Sequence, residues 1–307
     1  MESLERYRGC LLGLAVGDAV GTTLEFSSPG TFKPISDMVG GGPFGLDAGQ
    51  WTDDTSMALC LAESLIESKG FDARDQLERY CRWWKEGHLS SRGQCFDIGS
   101  TTRNALLDFM KNGTLRRPEN RDEAGDGSIM RLAPIPMFFA ADPFEAMRQA
   151  RENSLTTHGA REAVDACAYL AGLIAGALRG VDKETLLSDS YSPAPGFFEQ
   201  YPPELKIKRV MQGSFKRKKR REIRGGFYVV ESLEAALWAF QNNDNYRDGC
   251  LAAVNLGDDA DTTGAVFGQL AGAYWGENAI PQSWREKLVL RDQITSYAEG
   301  LFKLSGI

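Results

Sequence analysis

Histidine is nearly missing from this chain: of its 307 residues only His88 and His158 carry an imidazole. The six cysteines (Cys10, Cys60, Cys81, Cys95, Cys167 and Cys250) are scattered, with no CxxC pair. Zinc sites are built from clustered cysteine and histidine, so zinc is not expected. In a chain this long the same scatter reads as buried thiols of a reducing compartment rather than a disulfide framework. No apolar run approaches the roughly 20 residues that span a bilayer, and the opening MESLERYRGC carries two acids before any hydrophobic stretch, unlike a secretory signal. A cytoplasmic protein without membrane contact is expected. Positive charge is also short overall. A net charge of −7 and a pI of about 5.1 argue against non-specific nucleic-acid binding by the body of the protein.

What is present is a globular composition, 42% hydrophobic and 25% charged. No proline–glycine linker divides it, so a single domain over 1–307 is expected. Apolar residues recur at helical spacing over 4–16, 55–68, 74–84, 101–110, 143–153, 160–178, 230–242, 246–255, 262–274 and 288–304. Small residues pervade these segments, for instance Gly264, Ala265, Gly268, Ala271 and Gly272, and small residues at helical spacing let helix axes approach closely. Strand signals are weak. The segment 131–139 is broken by Pro134 and Pro136 and reads as loop or helix start. The fold class expected is all-α: compact, single-domain and many-helix.

One stretch departs from this pattern. Four prolines and several aromatics over 191–203 suggest an irregular loop, which runs into ten Lys and Arg residues over 206–224 that face one acid, Glu222. The whole, about 189–224, reads as a Pro-rich then basic loop insertion. Its charge is either a solvated surface or a local patch that steers anions, nucleic acid included.

The strongest local signal is Trp51-Thr52-Asp53-Asp54-Thr55, placed at a helix start and echoed two hundred residues later by Gly257-Asp258-Asp259-Ala260-Asp261-Thr262-Thr263. A single Asp there is explained as a helix cap. Two such oxygen-rich turns, with up to five carboxylates between them, ask for a cation. Like charges raise one another's pKa unless neutralised, and hard divalent ions take oxygen ligands. The pair of turns is a candidate magnesium or manganese site, with unrelated helix caps as the alternative.

At these residues the sequence resembles the ADP-ribosylglycohydrolase family. Gly17-Asp18-Ala19-Val20-Gly21 with Glu25-Phe26, then Trp51–Thr55, Cys95-Phe96-Asp97-Ile98-Gly99, Gly125-Asp126-Gly127-Ser128-Ile129-Met130-Arg131, Thr157-His158, Tyr228-Val229-Val230 and Gly257–Thr262 follow the family's motifs in order. The resemblance implies an all-α fold around a binuclear centre of two Mg2+ or Mn2+ ions. It further implies hydrolysis of the N- or O-glycosidic bond between ADP-ribose and an acceptor, leaning to arginine-linked substrates. The partner would be an ADP-ribosylated protein or a small-molecule ADP-ribose conjugate. Carried over residue by residue, the implied metal ligands are Thr52, Asp53, Asp54, Asp259, Asp261 and Thr262. The implied catalytic groups are Asp97, Glu25 and Asp259. Phe96, Ile98, Gly99, Ser100, Thr101, Gly125, Asp126, His158 and Tyr228 are the implied substrate contacts, with Tyr228 on the adenine. Two positions depart from the pattern: Asp126 stands where the family commonly has Asn, and Phe227 where glycine usually precedes the tyrosine. A hydrolase of another ADP-ribose or nucleotide conjugate, or a non-catalytic crystallin-like protein on the same fold, are the competing readings.

Overall fold

A computed structural model describes residues 3–307, and among these there is no β-strand, only isolated bridges. In chain order the helices are α1 (Ser3–Gly21), α2 (Asp53–Ser68), α3 (Ala73–Glu86), α4 (Ser100–Asn112), α5 (Pro134–Phe138), α6 (Pro143–Leu155), α7 (Arg161–Leu178), α8 (Lys183–Leu186), α9 (Phe197–Gln200), α10 (Leu205–Met211), α11 (Val229–Asn242), α12 (Tyr246–Val254), α13 (Ala260–Trp275), α14 (Gln282–Lys287) and α15 (Arg291–Leu304). None is long and apolar enough to cross a membrane. The all-α expectation holds, and each segment with helical spacing became a helix.

The differences are instructive. The first helix runs on past Val16 to Gly21, through Gly17-Asp18, because those residues have partners that the linear pattern does not display. Pro134 occupies the first turn of α5, where its missing N–H is harmless. The basic stretch expected as a loop instead carries α10 and two 3-10 turns, Ser214–Arg217 and Arg220–Glu222. Ile207, Val210, Met211, Phe215 and Ile223 anchor it in the core. The expected C-terminal helix begins only at Arg291, after Leu290 adopts a left-handed conformation (φ 54°).

The centre of the fold is the antiparallel pair α1 and α13. Gly9, Gly13, Gly17 and Gly21 repeat every four residues along one face of α1 and meet Gly272, Gly268, Gly264 and Ala260 of α13. A Cβ added at Gly17 would lie 2.0 Å from the carbonyl oxygen of Gly264, one at Gly13 2.3 Å from that of Gly268, and one at Gly9 2.3 Å from that of Gly272. The helices therefore touch backbone to backbone, with no side chain between them. Both are buried along nearly their whole length, and α7, α11, α12 and α15 pack around them.

This seam gives a stability test. In an isolated helix Gly→Ala gains up to about 1 kcal/mol. Gly17→Ala is expected to do the opposite, destabilising by about 1–3 kcal/mol because the helices must separate. A denaturant titration of that variant against the parent measures the sign directly.

Candidate active site

The C-terminal end of α1 and the N-terminal ends of α2, α4 and α13 converge on a cavity of about 350 Å³. Seven carboxyl groups line it, those of Glu25, Asp53, Asp54, Asp97, Asp126, Asp259 and Asp261, and no lysine or arginine is among its lining residues. Gly99, Ser100, Thr101, Thr102, Gly125, His158 and Thr262 complete the wall together with residues that sequence reasoning did not assign: Phe26, Gly127, Met130 and Phe227. The two acidic turns, two hundred residues apart in the chain, face each other here.

Each acid is held by a specific local device. Asp18, buried inside α1, accepts hydrogen bonds from the Thr52 amide at 2.9 Å and the Thr55 amide at 3.0 Å, and from the Thr55 hydroxyl at 2.6 Å. It caps the start of α2 from a distance and fixes the first acidic turn against the seam. The Thr52 hydroxyl sits beneath the pocket, 3.0, 3.2 and 3.3 Å from carboxylate oxygens of Asp18, Asp54 and Asp261, and can donate to one at a time. On the second turn, Glu25 accepts the Ala260 amide of α13 at 2.9 Å. The loops that carry Glu25 and Asp259 are clasped by two backbone hydrogen bonds, Phe26 N–H to Asp258 O and Asp258 N–H to Ser27 O, both 2.8 Å. Phe26 (φ 59°) and Asp258 (φ 56°) adopt the left-handed conformation to make this clasp, a strain of the kind that concentrates at functional sites.

The electrostatics follow from this crowding. Burial, then the neighbouring Asp261, pushes Asp18 from 3.8 up to about 7 and Glu25 up to about 12. Burial and Asp261 likewise lift Asp97 to about 6. Burial lifts Asp53, Asp54, Asp126 and Asp259 as well. Such a set is not stable as seven bare anions; it needs protons or cations. Asp54 Oδ1 is buried with no hydrogen-bond partner among the described residues. Carboxylate oxygens of Asp18, Asp54 and Asp261 all lie within 4.8 Å of one another, and so do those of Glu25, Asp259 and Asp261. The donor set is all oxygen, which suits a hard divalent cation. Asp18 is the weakest ligand candidate of these, because its oxygens are already occupied by amides and hydroxyls.

On the opposite wall α4 begins at Ser100 with no side-chain cap from Gly99, leaving backbone N–H groups of the first turn open toward the cavity. His158 packs against Gly125 and Gly127; a Cβ on Gly127 would lie 2.9 Å from its ring. Burial, Arg131 and Arg117 hold the imidazole down to about 3, so it is neutral, and its Nδ1 lies 2.8 Å from the Thr157 hydroxyl. Asp126 approaches Asp259 and accepts from Ser232 at 2.5 Å.

Three expected contacts lie off the wall. Phe96 and Ile98 flank Asp97 without lining the cavity, and Tyr228 lines a separate depression with Arg121, Arg161 and Lys206. There its hydroxyl accepts from Lys206 at 2.8 Å and donates to Glu162 at 3.0 Å. Gly125 and Tyr228 form a short antiparallel bridge, and neighbours along extended backbone point to opposite sides. Phe227 therefore faces the acidic cavity in place of Tyr228. Asp18, which sequence reasoning left without a role, is the hub of the first turn. The signal for it was an acid inside a helix apolar on every side.

Comparison with known proteins bears on all of this at once. Over residues 1–306 the chain matches the family described as ADP-ribosylglycohydrolase. It is 43% identical over 305 residues to the ADP-ribosylarginine hydrolase Tri1 of Serratia proteamaculans, covering 99% of this chain and 81% of that protein. To the ADP-ribosyl-[dinitrogen reductase] glycohydrolase of Rhodospirillum rubrum it is 28% identical over 313 residues, 99% of this chain and 97% of that one. A solved structure, an ADP-ribosylglycohydrolase-related protein complex, superposes with a TM-score of 0.86 at 43% identity and covers 99% of both chains. Since the match spans the glycine seam and both acidic turns alike, the chain belongs to the ADP-ribosylglycohydrolase family.

Proposed function

We propose that this enzyme hydrolyses the N-glycosidic bond between ADP-ribose and an arginine side chain of a protein or small conjugate, with two magnesium or manganese ions as cofactors. The observation that carries the reading is the seven-carboxyl cavity with its clustered carboxylate oxygens, in a chain 43% identical to a relative named for ADP-ribosylarginine hydrolysis. Thr52, Asp53, Asp54, Asp259, Asp261 and Thr262 would hold the ions. Bound there, such ions supply positive charge and Lewis acidity toward the distal ribose.

The residues of the chain do the rest. The open amides at the start of α4, with Ser100 and Thr101, suit the diphosphate, as helix N-termini suit anions generally. Neutral His158 offers a hydrogen bond without adding charge. Cleavage at the anomeric carbon needs a proton taken from the attacking water and one returned to the departing guanidine. Asp97, at about 6, is mostly ionised at neutral pH and is assigned as the acceptor. Glu25 and Asp259 are the other two carboxyl groups assigned to the chemistry, and Glu25 keeps its proton in the cation-free site. The exposed Arg220, Arg221 and Arg224 border a second depression beside Pro29 and Gly30, a few residues from Phe26. They give an acidic substrate protein a landing surface whose effect on association falls with salt.

Asp261→Asn is expected to lose at least one divalent cation, counted by elemental analysis, and at least about a hundredfold in turnover. A metal-stripped parent with full activity would end the reading. Asp97→Ala is expected to keep ADP-ribose binding, measured by calorimetry, while turnover falls about a hundredfold or more.

A pH dependence also follows. Asp18 and Asp97 titrate higher in the fold, at about 7 and about 6, than the ordinary 3.8. Between these values the folded, cation-free protein binds more protons than the unfolded chain, so its stability falls as pH rises from about 4 to 7. Thermal denaturation in a chelator is expected to show a lower midpoint at pH 8 than at pH 5. Saturating Mg2+ or Mn2+ should restore it more at pH 8, where fewer protons compete.

A further inference from the structure

The mouth of the acidic cavity carries an arc of four phenylalanines. Phe26 and Phe227, both lining the cavity, face each other with ring centroids 5.8 Å apart and planes inclined by 31°. Behind them Phe44 lies 6.0 Å from Phe26 and 5.4 Å from Phe96. The two front rings are largely in solvent, Phe26 at 56% and Phe227 at 51% exposure. Exposed phenylalanines scattered singly need no explanation; two that stack at the rim of a charged cavity do. Phe26 is moreover held out by a left-handed backbone, φ 59°, between Glu25 and the clasp to Asp258. Folding alone gains little from either ring.

The surroundings state what the rings would take. The cavity wall behind them carries Glu25, Asp259 and Asp97, so the mouth is apolar at its lip and lined by carboxyl groups just inside. That combination favours a flat, weakly hydrated cation over a neutral or anionic group. The arc already holds one such cation: the Arg92 guanidinium lies 5.6 Å from the centre of the Phe96 ring. We propose that Phe26 and Phe227 form an aromatic lip that receives the guanidinium of the acceptor arginine and selects arginine-linked substrates over those with uncharged acceptors. The inference rests on the arginine-linked reading above and adds to it the residues that distinguish the acceptor. Phe227, at the position where the sequence departs from the glycine usual before the tyrosine, supplies one of the two ring faces.

The test uses the whole chain loaded with Mg2+, with Phe26→Leu, Phe227→Leu and Phe227→Trp beside the parent. Leucine keeps apolar bulk and removes the π face; tryptophan keeps it. Each leucine variant is expected to lose about fivefold in kcat/KM on ADP-ribosyl-arginine, carried mainly by KM. The tryptophan variant is expected to match the parent, and the Kd for free ADP-ribose to stay within about twofold throughout. Leucine variants equal to the parent on ADP-ribosyl-arginine would overturn the lip. So would an equal weakening of ADP-ribose binding, which would put the rings under the nucleotide. A parent inactive on ADP-ribosyl-arginine removes the arginine-linked reading and this inference with it, which separates the two failures. Should the strained position make Phe26→Leu misfold by circular dichroism, Phe227→Leu decides the matter alone.

Discussion

The direct backbone contact between α1 and α13 is the constraint on which the rest of this molecule depends. Because Gly9, Gly13, Gly17 and Gly21 lie against Gly272, Gly268, Gly264 and Ala260, the two helices have one register and one separation. Asp18 and Glu25 follow from the end of α1, and Asp259, Asp261 and Thr262 from the start of α13. The seam therefore sets the distance between two groups of acids that no local sequence feature could bring together. Sliding by one four-residue repeat, about 6 Å at about 1.5 Å per residue, would re-pair the glycines but pull the acids apart. The chain has closed off the smaller displacements by leaving nothing compressible in the interface.

Crowding acids in this way is possible only because the fold fixes them independently of any counter-ion. Asp18 is satisfied by the start of α2 and Glu25 by the start of α13. Helix N-termini, not basic side chains, hold the carboxylates in place. This leaves the cavity free of lysine and arginine, so its negative field is available to a cation. In a protein of net charge −7, the uncapped start of α4 is the part of the same wall that offers donors rather than carboxylates.

Much of this was legible in the sequence. The helices were, because apolar spacing and small residues report directly on burial. The repeated acidic turn was, because its chemistry is incompatible with a coincidental pair of caps once the turns meet. What the sequence concealed was direction and partnership. Tyr228 belongs to the same motif as Phe227, but a one-residue step along extended backbone turns the side chain to the other side, and motif reading does not carry that information. Asp18 looked like a helix stop beside Gly17 because its donors come from residues 52 and 55. The basic run looked like a loop because its charges outnumber its anchors. Yet Ile207, Val210, Met211 and Phe215 keep helical spacing within it, and Lys206, Lys216 and Lys218 spend their charge on Glu162, Asp189 and Glu234.

The clasp between Phe26 and Asp258 ties together what would otherwise be two independent loops. One bears Glu25 and the outermost ring of the cavity mouth; the other bears Asp259. With two reciprocal hydrogen bonds between them, neither loop can withdraw by itself without leaving a pair of backbone groups unsatisfied. Any opening of the cavity on this side must lift both as one body. The rim on this side of the cavity is thus one coupled unit, in which a displacement at Phe26 is carried to the start of α13 and the carboxyl group of Asp259.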